Sequence, residues 1–132
     1  MNHKPKIVCI DDDPLYTKLY TDILTTKGYY VFQANNPSDG FEVVKKEKPA
    51  LILLDVMMPE HGRFSDGFSL LEALKKNEET KNIPVIIISG LGSGDDVHHG
   101  LFLGAAAYLP KQGMIHTNLV KEIEKQFEKK NC

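Results

Sequence analysis

The sequence predicts an α/β fold in which helices cover both faces of a central parallel sheet. Short apolar runs alternate along the chain with longer amphipathic segments, about five times over, and this alternation is typical of strand–helix units that build a parallel sheet. Most of the short runs are continuously apolar, as in Leu51–Leu54, which is expected of strands buried on both faces. With 132 residues, the chain has the size of one domain, and we expect a single domain over residues 1–132.

Each element can be placed in order. The predicted strands cover residues 7–10, 30–32, 51–54, 85–88 and 107–109. Capping residues followed by proline mark two helix starts, Asp13-Pro14 and Asn36-Pro37, and Gly28 marks the end of the first helix. The apolar stripes expected to face the sheet are, helix by helix, Leu15, Leu19 and Ile23; Phe41 and Val44; Leu70, Leu71 and Leu74; Val97, Leu101 and Phe102; and Leu119, Ile123 and Phe127.

Composition and charge argue against several classes of protein. The chain has 18 acidic and 16 basic residues, a net charge of −2, so we expect no direct contact with nucleic acid. The two cysteines, Cys9 in an apolar run and Cys132 at the end, exclude a disulfide framework. Neither a signal sequence nor an apolar run long enough to cross a membrane is visible. We therefore expect a cytoplasmic protein that does not contact membranes.

Polar and charged residues directly follow most of the predicted strands. They are Asp11, Asp12 and Asp13 after the first strand, Asp55 after the third, Ser89 after the fourth and Lys111 after the fifth. In an open parallel sheet, ligands bind beyond the carboxyl ends of the strands. We therefore expect these side chains to share one small crevice.

The grouped carboxylates indicate a site for a divalent cation. Asp13 before Pro14 is explained as a helix cap, but capping accounts for only one aspartate and not for Asp55. Crowded carboxylates repel one another unless some are protonated or a cation lies among them. Oxygen donors without histidine or cysteine favour Mg²⁺ over zinc or iron.

These motifs resemble those of response-regulator receiver domains, the phosphoacceptor modules of two-component signalling and phosphorelays. The resemblance covers nearly the whole chain and is carried by residues 7–14, 53–59, 88–90, 104–105 and 108–111. It implies a flavodoxin-like (βα)5 three-layer sandwich with a central parallel sheet in the strand order 2-1-3-4-5.

The resemblance also implies roles for the acidic residues. Asp55 is expected to accept a phosphoryl group from a phosphohistidine and to form an acyl phosphate. Asp11 and Asp12, together with Asp55 and the backbone carbonyl of Met57, are expected to bind the Mg²⁺ cofactor, which lets two anionic groups approach one another.

The remaining roles concern switching. Lys111 is expected to pair with the phosphoryl oxygens, Ser89 to bond them through its hydroxyl, and Tyr108 to be the aromatic switch residue. The implied partners are a sensor histidine kinase or a histidine phosphotransfer protein, and an output domain or downstream partner that docks on the fourth helix, fifth strand and fifth helix. We expect a monomer or a phosphorylation-linked dimer that supports its own phosphorylation and dephosphorylation but turns over no external substrate.

Two departures from the family pattern bear on the site. Residues 60–65 lengthen the loop after Pro59, which either alters access and partner choice or is a tolerated surface insertion. Lys111 is followed by Gln112 and preceded by Pro110, whereas the family has proline after the lysine. The family's cis peptide depends on that proline, so the sequence leaves the orientation of Lys111 open.

The loop after the fourth strand is rich in glycine over residues 90–94. It lacks the spacing of a nucleotide-binding loop, so a mobile switch loop is the better interpretation. The positions two residues beyond the phosphoacceptor and the hydroxyl residue tune water access in the family, and here they are apolar, Met57 and Leu91. Slow self-dephosphorylation is the expected consequence.

Parts of the sequence are compatible with two other classes of function. The first is an interaction module that keeps the fold without phosphorylation, which the changes at Pro110 and Gln112 would favour. The second is an enzyme. A flavodoxin-like electron carrier conflicts with the three consecutive aspartates, which would repel a phosphate, and a haloacid-dehalogenase-like phosphatase would fit Asp11-x-Asp13 but leaves no room for a cap domain.

Overall fold

The computed structural model describes residues 4–112 and 116–130, so Cys132 lies outside the described residues. Within them, strands and helices alternate strictly. The elements are β1 (Lys6–Ile10), α1 (Pro14–Thr26), β2 (Tyr30–Ala34), α2 (Pro37–Glu47), β3 (Leu51–Leu54), α3 (Gly67–Lys76), β4 (Val85–Ser89), α4 (Gly94–Phe102), β5 (Ala107–Pro110) and α5 (His116–Lys130).

The five strands form one parallel sheet in the order β2-β1-β3-β4-β5. This arrangement confirms the predicted fold. Ile10 pairs with Ala34 on one side and with Leu54 on the other, so β1, β2 and β3 end level with one another. The residues that follow these strands therefore meet at one edge of the sheet.

The two faces of the sheet build two separate cores. Val8 and Ile10 pack with α2 and α3 on one face, whereas Ile7 and Cys9 pack with α1 and α5 on the other. Cys9 is fully buried, which agrees with its place in an apolar run. None of the helices in the described ranges is both long and apolar enough to span a membrane.

Helix caps and three of the five predicted apolar stripes are confirmed. The Asp13 and Asn36 side chains accept the amides of Leu15 and Asp39 and cap α1 and α2, and Gly28 follows α1 with a φ of +96°. The confirmed stripes lie on α2 (Phe41 and Val44), α3 (Leu70, Leu71 and Leu74) and α5 (Leu119 and Ile123, with Phe127 half-buried).

The stripe predicted for α1 is wrong at Leu15 and Leu19, whereas its third residue, Ile23, is half-buried against the core. Leu15 and Leu19 are 72% and 49% exposed, and the buried face of the helix carries Thr17, Tyr20 and Leu24. These three residues also follow a helical spacing, but Thr17 and Tyr20 carry hydroxyl groups, so a search for apolar residues does not find the pattern. The Thr17 hydroxyl bonds the carbonyl of Pro14 at 3.1 Å, which offsets the cost of its burial.

The stripe predicted for α4 is also wrong. Leu101 and Phe102 are 45% and 80% exposed, while Gly100 is the buried residue of the helix. A Cβ at Gly100 would collide with the Ile87 side chain and lie 3.0 Å from the Tyr108 ring. The helix thus approaches the sheet through its smallest residue, which an apolar stripe cannot reveal.

The insertion at residues 60–65 folds against α2. His61 and Phe64 pair through two backbone hydrogen bonds of 2.9 and 3.1 Å, and Ser38 on α2 donates to the His61 carbonyl at 3.1 Å. The Phe64 ring is 4% exposed and lies 5.8 Å from the Phe41 ring, centroid to centroid. The insertion therefore contributes to the core rather than forming a simple surface loop.

Candidate functional site

Two buried aspartates, Asp11 and Asp55, form the floor of a crevice at the carboxyl edge of the sheet. Each follows a strand directly, and backbone bonds extend the ladder to both of them. The Asp55 amide donates to the Ile10 carbonyl at 2.9 Å, and the Asp11 amide donates to the Ala34 carbonyl at 3.1 Å. These ladder bonds fix both residues at the edge of the sheet. Both are also buried, with exposed fractions of 1% for Asp11 and 4% for Asp55.

Each carboxylate uses one oxygen to bond the local backbone. Oδ1 of Asp55 accepts the amide of Met57 at 2.9 Å, and Oδ1 of Asp11 accepts the amide of Asp13 at 2.9 Å. The second oxygens turn toward Lys111, whose Nζ lies 2.8 Å from Oδ2 of Asp55 and 2.7 Å from Oδ2 of Asp11. The three side chains therefore form one buried ionic cluster.

The structure answers the question of how Lys111 is oriented. Its amide donates to the Ser89 carbonyl at 2.9 Å, and its side chain, 13% exposed, reaches both aspartates. Burial opposes the charge of the Lys111 ammonium, but the carboxylates of Asp11 and Asp55 outweigh it and raise the pKa of Lys111. The peptide bond to Gln112 is trans, like every other bond in the described residues.

The site has an excess of negative charge over Lys111. Oxygens of Asp11, Asp12 and Asp55 all lie within 4.8 Å of one another, and Asp12 is exposed at the mouth. Burial, with a further contribution from Asp55, raises the pKa of Asp11. Three carboxylates thus face a single ammonium, and Oδ2 of Asp11 is paired only with that ammonium. This excess of negative charge in an all-oxygen donor set fits a hard divalent cation such as Mg²⁺.

A second group of contacts connects the crevice to the loop after β4. Ser89 is 1% exposed, and its hydroxyl oxygen accepts the amide of Leu91 at 3.2 Å. The half-buried Tyr108 donates its hydroxyl to the Leu91 carbonyl at 2.6 Å. Burial raises the pKa of Tyr108, so the hydroxyl keeps its proton for this bond.

Geometry and topology thus agree with the motifs, and the comparison with known families decides the identity. The family model of the response regulator receiver domain matches residues 7–124. The chain is a response regulator receiver domain. Receiver domains are the signalling switches of two-component response regulators, and the family is generally Mg²⁺-dependent.

Relatives of the receiver differ in how much of their own length it matches. The DNA-binding dual master transcriptional regulator RpaA of Synechocystis sp. is 37% identical over 107 residues, which cover 81% of this chain and 43% of that protein. Protein PilH of Pseudomonas aeruginosa is 35% identical over 106 residues, which cover 80% of this chain and 84% of that protein. The chain thus spans less than half of RpaA but most of PilH.

A solved structure shows the same fold. The response regulator receiver domain protein of Methanospirillum hungatei superposes with a TM-score of 0.88 at 24% identity, covering 98% of both chains. At this identity the match speaks for the architecture of the receiver alone.

Three residues near the receiver's crevice were not anticipated. Asn35 donates its side-chain amide to the Asp11 carbonyl at 2.8 Å, and a Cβ at Gly67 would collide with the backbone of Asp55. The Tyr16 ring lies 3.9 Å from the Lys111 ammonium, measured to its centroid. Only Gly67 had a signal in the sequence, since it follows Asp66 at the start of α3.

Proposed function

We propose that Asp55 is the phosphoacceptor of this receiver and that its phosphorylation switches a partner or output domain. The donor is a phosphohistidine on a sensor histidine kinase or a histidine phosphotransfer protein. Oδ2 of Asp55 attacks phosphorus, the P–N bond to the imidazole breaks, and an acyl phosphate forms. The observation that carries the proposal is a buried carboxylate whose second oxygen, Oδ2, lies 2.8 Å from the Lys111 ammonium.

The acidic residues of the crevice hold the metal in this proposal. Asp11, Asp12 and Asp55, with the backbone carbonyl of Met57, provide the oxygen ligands. An Mg²⁺ ion held by these ligands would neutralise charge between the incoming phosphoryl group and the carboxylate. The Met57 amide, bonded to Oδ1 of Asp55 at 2.9 Å, fixes the rotamer of the nucleophile.

Lys111 and Ser89 provide the contacts to the phosphoryl oxygens. The Lys111 ammonium already lies beside the attacking oxygen, so a small movement brings it to the transferred group. Ser89 is bonded to the loop at Leu91, and turning its hydroxyl inward would release that bond. Because Leu91 also accepts the hydroxyl of Tyr108, the loss of the serine bond would alter the position of Tyr108. This would change the α4-β5-α5 face, where an output domain, a downstream partner or a second copy docks.

The proposed module is a switch rather than an enzyme, because its own side chain is the substrate of the transfer. We expect neither nucleic acid nor membrane to contact this domain directly, and we expect it in the cytoplasm. The residues of the site lie within the stretch matched by the family, and we propose residues 1–132 as one receiver unit.

Intact-mass spectrometry after incubation with acetyl phosphate tests the proposal. The wild type should gain one phosphoryl group only with Mg²⁺, and Asp55→Asn should gain none. Asp22→Asn, an exposed aspartate of α1, is the matched control and should behave as the wild type. If neither acetyl phosphate nor a phosphohistidine protein labels the wild type, the switch is excluded and a constitutive interaction module becomes the better explanation.

A further inference from the structure

We propose that Tyr16 is a positioning residue that holds the Lys111 ammonium in the crevice through its aromatic ring. The inference deepens the proposed phosphotransfer and rests on it. It is carried by one contact, the 3.9 Å separation between Nζ of Lys111 and the centroid of the Tyr16 ring. A cation at this distance over a ring face is attracted by the ring quadrupole, and more strongly where water is excluded.

The surroundings of the ring favour a fixed position. Tyr16 lies in the first turn of α1, directly after the acidic loop, and is half-buried. The Tyr20 ring packs against it at a centroid distance of 6.1 Å, and Tyr20 is 6% exposed. Tyr16 therefore contacts Lys111 from an element that is anchored in the core.

The ring adds a third contact to the Lys111 ammonium, whose two ion pairs are both with carboxylates of the reacting site. The amide of Lys111 is held by the Ser89 carbonyl, but four flexible side-chain carbons separate this anchor from the charge. The other partners of the ammonium are Asp11 and Asp55. When Asp55 becomes an acyl phosphate, the negative charge moves from its carboxylate to the phosphoryl oxygens, and the ammonium has to follow it, whereas the ring attracts the ammonium in either state. Tyr16 thus keeps Lys111 in the crevice throughout the transfer.

The contact can be tested in the wild type without any phosphoryl donor. In an NMR spectrum of lysine-labelled protein, the ε-methylene resonances of Lys111 should be shifted upfield by the ring current of Tyr16. Lys18, whose side chain is 72% exposed, is the internal reference and should resonate near its random-coil position. The shift should persist in Tyr16→Phe and disappear in Tyr16→Leu. A Lys111 signal at the random-coil position in the wild type would overturn the inference, whether or not the leucine variant folds.

The consequence for the reaction is a change in rate without a change in metal affinity. Phosphorylation by acetyl phosphate at saturating Mg²⁺ should be about 3- to 10-fold slower in Tyr16→Leu, the range expected for a partly buried cation–π contact. Tyr16→Phe should restore the rate, and Leu19→Ala should show that lost apolar surface on α1 is not the cause. Equal rates in the leucine variant and the wild type would refute the positioning role. An unlabelled wild type would instead contradict the proposed phosphotransfer, and the ring-current measurement would still report on the contact.

Discussion

The Tyr108 hydroxyl donates a hydrogen bond of 2.6 Å to the carbonyl of Leu91 and so ties β5 to the loop that follows β4. The amide of the same leucine donates to the Ser89 hydroxyl oxygen at 3.2 Å. Leu91 therefore bonds both Ser89 at the crevice and Tyr108 on β5. Movement at either side chain must break or rebuild a bond to Leu91.

Removing the tyrosine hydroxyl should loosen this loop. In Tyr108→Phe the Leu91 carbonyl loses its partner, and we expect the free energy of unfolding to fall by about 0.5–1.5 kcal/mol. Hydrogen exchange at the Leu91 amide should become faster because the loop that holds it is freer. Tyr30→Phe is the control, since that ring is 53% exposed. Unchanged exchange at Leu91 would show that the tyrosine bond does not restrain the loop.

Magnesium should stabilise the folded domain. The carboxylates of Asp11, Asp12 and Asp55 repel one another in the native state, and a cation that binds only this state raises stability by about 2.7 kcal/mol at a hundredfold excess over its dissociation constant. We expect a higher Tm with Mg²⁺, reversed by EDTA, and a much smaller shift in Asp12→Asn. Thermal unfolding measures both. An equal shift in Asp12→Asn would remove Asp12 from the ligand set.

The insertion should be needed for stability rather than for chemistry. Phe64→Ala removes a buried ring packed on Phe41, and we expect a loss of about 3–5 kcal/mol in the free energy of unfolding. Arg63→Ala, at an exposed position beside the same rings, should cost only about 0.5–1 kcal/mol. Urea titration at 25 °C distinguishes the two. A small effect of Phe64→Ala would mean that the insertion is a tolerated surface loop after all.

Topology and periodicity can be read from the amino-acid sequence, whereas isolated contacts cannot. Asp11 and Asp55 could be placed together because strand ends in a parallel sheet share an edge, a rule that depends only on topology. Phe64 could not be placed, because a single aromatic in a loop has no periodicity. Leu15 and Leu19 were wrongly predicted to be buried because apolar spacing alone was used to choose the inner face of α1. The face that is buried includes the polar residue Thr17.

The contact between Lys111 and Tyr16, unlike the grouping of Lys111 with the aspartates, could not be predicted from the sequence. The motif predicts that the lysine belongs to the site, but its orientation depends on where α1 lies against the end of β5. Tyr16 and Lys111 are separated by most of the chain, and no local pattern links an aromatic residue to a distant lysine. Side-chain contacts of this kind arise from packing and have to be observed.

Lys75 should give the stability of the domain a distinct pH dependence. Its Nζ donates to the carbonyls of Ile83 and Lys81 at 2.9 and 3.2 Å, and burial lowers its pKa below the ordinary value of 10.5. The unfolded chain therefore binds this proton more tightly than the folded one. Between the lowered pKa and 10.5, stability gains from rising pH, because the cost of burying the ammonium disappears as it deprotonates.

The difference between the wild type and Lys75→Met isolates this contribution. As the pH rises from 7 toward 10.5, the wild type should gain stability relative to the variant, measured by urea unfolding at each pH. Lys76→Met, at the exposed neighbouring position with a side chain 75% exposed, reports the general effect of removing a lysine from α3. A wild-type advantage that falls with pH would contradict the direction of the Lys75 shift.

The phosphorylated state should decay slowly by itself. Hydrolysis needs a water molecule aligned with the acyl phosphate, and the 56% exposed side chain of Met57 offers only a thioether, a weak hydrogen-bond acceptor. Met57→Gln should speed decay about 3- to 10-fold, the effect of one aligning hydrogen bond. Met57→Leu keeps an apolar side chain and should decay as the wild type does. The loss of the phosphoryl mass with time, after acetyl phosphate is removed in Mg²⁺, gives the rates, and equal decay of all three proteins would show that Met57 does not control water access.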